Sequence, residues 1–280
     1  MAGPKKWTEE LIDARVKAGR GQGSGQTYSP WLNVQEFSSR GTQTRVPSHK
    51  LNRTIHTFSY LERALFLVTE FQTNFVDFNE QRPLDRGVTL GAAAKLGIRH
   101  PRYPRTNVPV VMTMDALVTT TDADGVLTFA AWDVKPQRRL QDERVLAKLS
   151  LHKAYCAQQG IPHYLFTENS VSPYVVRNID WIRMALPKDG EQEVVPGLFT
   201  GHLDQFQDDL FTCRTRPTIS HFCGQYDAAH KVDRGTGLRI FKLLLWQHRV
   251  DMDLNVQWLE RQPIPRRGEV APTPSLRKAA

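Results

Sequence analysis

Apolar residues recur at helical spacing over residues 7–18 (Trp7, Leu11, Ile12, Ala14, Val16), and the pattern stops at the glycine-rich "GRGQGSG" of residues 19–25. A longer helix is predicted where "SYLERALFLVTEFQ" opens at Ser59. "TNFVDFNEQ" from residue 73 reads as a strand, Thr89 to Leu96 as a short helix, and "IRHPRYPR" as a basic loop. From about Val110 to Lys135, two runs rich in Val, Thr and Leu flank Asp124-Gly125, which predicts a β-hairpin turning at that dipeptide. "QDERVLAKLSLHKAYCAQQG" is amphipathic and stopped by Gly160, and "PHYLFT" reads as a buried strand. The order helix, strand, strand, strand, helix, strand argues an α/β fold: a mixed sheet with helices packed on it.

Beyond residue 170 the pattern turns helical, at 172–186, about 203–212, 218–231 and 236–247, followed by two short candidate strands, "VDMDL" and "VQWLE". Short helices closed by a hairpin predict a smaller winged-helix or helix-turn-helix domain. From Pro263 the Pro-, Arg- and Ser-rich "PIPRRGEVAPTPSLRKAA" has no periodicity and is expected to be disordered. The expected organisation is thus 1–169, 170–262 and a basic tail, 263–280.

Charge adds a bias towards polyanions. The chain has 37 Lys and Arg against 29 Asp and Glu, a net +8, and residues 1–170 hold 22 basic and 16 acidic side chains. A solvated surface accounts for an excess of this size equally well. Three cysteines, Cys156, Cys213 and Cys223, argue against a disulfide framework. No run is long and apolar enough to span a bilayer, and "MAGPKKWTEELIDARVKAG" lacks the apolar core of a signal peptide, so a cytoplasmic protein without membrane contact is expected.

The hairpin carries the candidate chemistry. Asp115 follows Met114 on its first strand, Asp133 follows Trp132 on its second, and Lys135 lies two places beyond. Alternation puts Asp133 and Lys135 on one face, and counting outward from Asp124-Gly125 sets Asp133 opposite a residue near 116. A one-residue slip or a bulge would bring Asp115 alongside. Two carboxylates that close repel unless a cation neutralises them, and hard oxygen donors suit Mg²⁺ or Mn²⁺. The plain alternative is an Asp133–Lys135 salt bridge on a wet sheet edge. Glu62, in the first turn of the long helix, is a third acid able to reach such a metal, but Ser59-Tyr60-Leu61-Glu62 is also a capping box in which Glu62 would bond the Ser59 N–H.

Other constellations are weaker. The glycines of residues 19–25 fall as G-x-G-x-G-x-G after a helix, so both phosphate-binding fingerprints fail and a flexible loop able to lie along DNA is expected. Cys213, His221, Cys223 and His230 lack the paired spacing of a zinc site, and His152 and His163 read as ordinary surface or core histidines. "KVDRGTGLRIFKLLLWQHRV" either lays basic residues along phosphates or is a core helix with wet charges.

The trio Glu62, Asp115 and "DVK" resembles the restriction-endonuclease-like nucleases. More narrowly, "GRGQGSGQTYSPWLNVQEF", "SHKLNRTIHTFSYLERALF", "VDFNEQRPL" and "VKPQRRLQDERVLAKLSLHKAY" resemble the TnsA family of transposon endonucleases, over roughly residues 10–170. The resemblance implies a restriction-endonuclease-like fold and catalysis by Glu62, Asp115, Asp133 and Lys135. It also implies Mg²⁺ or Mn²⁺ held by the three acids and the Val134 carbonyl. The TnsA pattern admits Gln where this chain has Asp133, which implies a centre nearer the general nuclease pattern. It further implies cleavage of the 5′ strands of double-stranded DNA at transposon ends, beside a DDE-type transposase and an ATPase regulator. A decayed nuclease fold serving as a scaffold, or a stand-alone restriction or repair nuclease, are the competing readings.

Overall fold

The computed structural model describes residues 7–36, 42–187 and 197–269. The chain divides into two units, the first running to Ser170 and the second opening at Val171.

The first unit contains α1 (Glu9–Lys17), a hairpin of β1 (Thr44–Ser48) and β2 (Arg53–Thr57), α2 (Tyr60–Phe71), β3 (Phe75–Pro83), α3 (Arg86–Leu96), β4 (Thr113–Thr121), β5 (Leu127–Val134), α4 (Glu143–Gln158) and β6 (His163–Phe166). The main sheet has the order β3-β4-β5-β6, antiparallel except for the parallel β5–β6 pair. It is the mixed sheet with flanking helices that the hydrophobic pattern predicts. Phe78, Val118 and Ala130 are register partners and share the face on which Phe66 of α2 meets Phe78 edge-to-face, with ring centroids 5.2 Å apart. Ala131, one residue on, points to the other face and joins Ala92, Ala93, Leu151 and Cys156 of α3 and α4 in a buried cluster. The buried Phe66, Phe78 and Leu151 each stabilise the unit by about 1.5–3 kcal/mol.

The β1–β2 hairpin is absent from the hydrophobic pattern, which is too short there and interrupted by Pro47. It is fixed from outside: Arg53 of β2 grips Glu80 of β3 with both terminal nitrogens, at 2.9 and 2.8 Å, and also donates to the Phe78 carbonyl. The glycine loop is also built in. A Cβ at Gly21 would sit 2.1 Å from Pro83 Cγ, the Gly21 carbonyl accepts from Arg82 and the Gly25 N–H donates to Asp77, so the expected flexible loop is a docked one.

The second unit comprises α5 (Pro173–Arg183), α6 (Leu198–Thr212), α7 (Ile219–His230) and α8 (Thr236–Trp246). Phe206 is its centre, with Phe222 and Tyr226 set edge-to-face against it. The two strands expected to form a wing are not found. "VDMDL" and "VQWLE" run without strand pairing into a 3₁₀ turn at Leu259–Arg261, because the buried Asn178 side chain donates to the Leu254 and Val256 carbonyls, both at 2.8 Å. The order also continues past Pro263: Ile264 is buried, its N–H donating to the Pro217 carbonyl. The rest of the expected tail, residues 270–280, lies outside the described residues. α8 is a core helix. Ile240, Phe241, Leu244 and Leu245 are buried, Arg239 donates to the Ala185 carbonyl, Lys242 stacks 4.0 Å from the Trp181 ring, and Arg249 binds Gln207 and Asp204. Of the basic residues proposed for phosphates there, Lys231 and Arg234 remain exposed.

Candidate active site

The hairpin register decides what the site contains. Thr121 pairs with Leu127 and Ala116 with Trp132, and the Asp122 N–H donates to the Val126 carbonyl at 2.9 Å, which leaves a three-residue loop, Ala123-Asp124-Gly125, not a two-residue one. Asp122 causes this: its Oδ1 accepts the N–H groups of Asp124 and Val126 at 3.0 and 2.9 Å, and Gly125 takes the left-handed conformation at φ 79° that closes such loops. The extra residue shifts the count by one. The ladder ends at Ala116–Trp132, so its next step sets Asp115 against Asp133, and both side chains lie on the face that α4 covers.

Lys135, just past the end of β5, then folds back on Asp115. Its Nζ donates to Asp115 Oδ2 at 2.6 Å and to the Val134 carbonyl at 2.9 Å, and the Val134 N–H donates to the same Asp115 oxygen at 2.7 Å. Three of the expected site residues, Asp115, Val134 and Lys135, are therefore in direct contact. Burial alone would depress the Lys135 ammonium, but Asp115, Asp133 and Glu62 outweigh it and hold its pKa above the ordinary lysine value.

Glu62 is beside this group and also caps its own helix. Ser59 Oγ accepts from the Glu62 N–H at 3.2 Å, while the Glu62 carboxylate accepts from the Ser59 hydroxyl at 3.0 Å and from the Phe58 N–H at 2.9 Å. The backbone donor is thus one residue earlier than the simple capping box predicts. Burial first, and the Asp115 carboxylate second, push the Glu62 pKa up to about 7 against the pull of those bonds and of Lys135. A carboxylate that caps a helix and still resists ionisation, through burial first and an acid neighbour second, is short of positive charge.

Asp133 has different company. It is fully buried, and its two oxygens accept from His152 Nδ1 of α4, at 2.8 Å to each, and from His163 Nε2 of β6 at 2.8 Å. Burial opposes its ionisation, yet the His152 and His163 contacts, with Lys135 nearby, hold it below the usual carboxylate range. The salt bridge offered as the plain reading of D-x-K is not the one formed: Lys135 pairs with Asp115, and Asp133 pairs with imidazoles. Sequence reading treated both histidines as ordinary. A usable signal was present for each, since His152 lies four residues before buried Cys156 and seven after buried Val145, on the inner stripe of α4. His163 pairs with Ala131, two residues from Asp133 on the same face.

The donor set fits a hard divalent cation. Two of the expected ligands, Asp115 Oδ2 and the Val134 carbonyl, already converge on one cation, the Lys135 ammonium, with the proton-hungry Glu62 close by. Among the described residues no group of three His, Cys, Asp or Glu side chains is placed to hold a metal ion by itself. Mg²⁺ does not need one, because it keeps several waters and takes one or two carboxylates. The same holds for the cysteines and histidines of α7 and its approach, which are not arranged as a metal site.

A family model described as TnsA-like endonuclease N terminal matches residues 72–168, and one described as TnsA endonuclease C terminal matches residues 171–254. The first covers Asp115, Asp133, Val134 and Lys135 but begins after Glu62. The chain is also 37% identical over 239 residues to the Transposon Tn7 transposition protein TnsA of Escherichia coli, an alignment that covers 85% of this chain and 84% of that protein.

Proposed function

This chain belongs to the TnsA family of transposon endonucleases, and from that premise we propose that it hydrolyses DNA with Mg²⁺ or Mn²⁺, nicking the 5′ strands at transposon ends. In this reading it works beside a DDE-type transposase that cuts the other strands and an ATPase that regulates both. The observation that carries the metal reading is the seat of the Lys135 ammonium between Asp115 Oδ2 and the Val134 carbonyl, 2.6 and 2.9 Å away, in a group with more acid than base.

Asp115, the Val134 carbonyl and Glu62 would hold the ion, with Asp133 adding its charge from the neighbouring position. Bound there, a divalent cation supplies Lewis-acid polarisation of the phosphodiester and activation of the attacking water. Lys135 works as a proton-bearing cation. With its pKa held up by three acids it is a poor base, and it suits donation to the oxygen on which charge builds as the phosphorus is attacked. The Val134 N–H fixes the Asp115 carboxylate, so that this acid meets the DNA in one orientation.

Asp115→Ala tests this reading. Nicking of a transposon-end duplex, assayed with the transposase and Mg²⁺, should fall by at least about 10²–10³-fold, the range for removal of a preorganised electrostatic group. The melting temperature should stay level, since the loss of two hydrogen bonds is offset by relief of the Glu62–Asp115 repulsion. Parental nicking by the folded variant would refute the assignment.

A further inference from the structure

Asp133 presents a problem of allocation. Three carboxylates, Glu62, Asp115 and Asp133, act on one ammonium, and the β4–β5 register, carried one step past its last pair Ala116–Trp132, brings Asp133 opposite Asp115 on the face towards which Lys135 folds. Lys135 nevertheless donates to Asp115 and the Val134 carbonyl and makes no hydrogen bond to Asp133. The two imidazoles account for that choice. An ionised Asp133 is an acceptor only, so His152 Nδ1 and His163 Nε2 carry the protons in these bonds. They supply three contacts of 2.8 Å from two separate elements, α4 and β6, to a side chain with no exposure to water. Satisfied from behind, Asp133 does not compete for the ammonium in front.

We propose that His152 and His163 are positioning residues of the nuclease centre: by holding both oxygens of Asp133 they keep that acid off Lys135, and so leave the ammonium to Asp115 in the metal-free centre and to the scissile phosphate once a metal takes its seat. This rests on the nuclease reading above and adds two residues to it. Partners that orient a ligating or charged group at such centres change affinity or rate by about 10–100-fold when removed.

The two contacts use different ring nitrogens, which provides a crossed test. The Asn amide reproduces an Nδ1 donor and the Gln amide an Nε2 donor. At position 152, His152→Asn should nick at near the parental rate, whereas His152→Gln should be about tenfold slower or worse at saturating Mg²⁺. At position 163 the order reverses, with His163→Gln active and His163→Asn slow. Mn²⁺ affinity, titrated calorimetrically without DNA, should match the parent in all four variants, because Asp115, Val134 and Glu62 are untouched. Independently of activity, the metal-free parent should show two hydrogen-bonded imidazole N–H signals, from Nδ1 of His152 and Nε2 of His163, by ¹⁵N-edited spectroscopy.

Equal rates for the Asn and Gln variants at both positions, fast or slow, overturn the proposal, as does absence of the two imidazole signals. A pair that fails to fold at one position leaves the pair at the other to decide. If the parent neither binds Mn²⁺ nor loses nicking on Asp115→Ala, the metal reading fails. The imidazole signals then still report on the clamp by itself.

Discussion

Arg53–Glu80 and Lys135–Asp115 are both ion pairs set against the same sheet, and they differ in what surrounds them. Glu80 receives both terminal nitrogens of Arg53 and the His56 N–H, while its own carbonyl takes the Tyr28 hydroxyl; the two side chains are 2% and 7% exposed. One anion meets one cation, and both carboxylate oxygens are taken by the guanidinium. Lys135 and Asp115 are 27% and 15% exposed, and Lys135 has Glu62 and Asp133 as well as Asp115 to answer. The first pair is closed and neutral, and joins β2 to β3. The second is open and has a surplus of acid, which is the condition a divalent cation corrects. Burial of charge therefore does not identify the working site, whereas an uncorrected imbalance of charge does.

The largest expected effect lies at the closed pair. Arg53→Ala leaves Glu80 buried without its cation, and should cost about 3–5 kcal/mol of stability. Urea unfolding monitored on the purified chain measures it, and Mn²⁺ affinity below the transition should be unaltered. A loss under about 1 kcal/mol would place Arg53–Glu80 with exposed surface pairs and dissolve the contrast.

The open group should reveal itself through pH. Glu62 ionises near 7 in the folded protein against 4.5 ordinarily, so the folded state holds a proton that the unfolded chain has already released. Its contribution is fully present below pH 4.5 and is lost as pH rises towards and through 7. Asp133 acts in the opposite sense: its depressed pKa gives stability above the ordinary carboxylate range that disappears as pH falls below it. Between pH 4.5 and 7 the metal-free protein should thus lose stability, on the order of 1 kcal/mol per unit at the steepest. Glu62→Gln should flatten that slope and, by removing a charged donor, reduce nicking by orders of magnitude. Thermal melts across pH check the first outcome; an unchanged slope in Glu62→Gln would show that another group titrates there.

The same contrast explains what the sequence made legible. Asp115, Asp133 and Lys135 stand out because acids interrupt apolar strands, and the sheet and its helices follow from periodicity over long segments. What escaped depends on single side chains acting at a distance. The loop length turns on Asp122 binding two N–H groups, which a reading of Asp124-Gly125 alone misses by one residue. The β1–β2 hairpin is specified by Glu80, twenty-seven residues from Arg53. The missing wing reflects Asn178, seventy-six residues from Leu254. His152 and His163 acquire a role only once α4 and β6 are laid against Asp133. Local chemistry was readable, whereas partners brought together by the fold were not.

The smallest effect probes the point where scaffold and site share an atom. Ser59 Oγ accepts the Glu62 N–H as an N-cap and donates to Glu62 Oε1, so one hydroxyl both starts α2 and steadies a candidate metal ligand. Ser59→Ala should remove the cap, at about 1 kcal/mol. Because the hydroxyl also favours the ionised carboxylate, its loss should move the Glu62 pKa above about 7 and extend the pH-dependent decline in stability to more alkaline values. The Phe58 N–H still holds Oε2, so the carboxylate stays in place and nicking at pH 8 should fall far less than in Glu62→Gln. The two variants therefore separate the roles: Ser59→Ala weakens the helix start and Glu62→Gln disables the chemistry. If Ser59→Ala, fully folded, were as inactive as Glu62→Gln, the hydroxyl and not the carboxylate would be the essential group, and the surplus of acid would lose its meaning as the mark of the site.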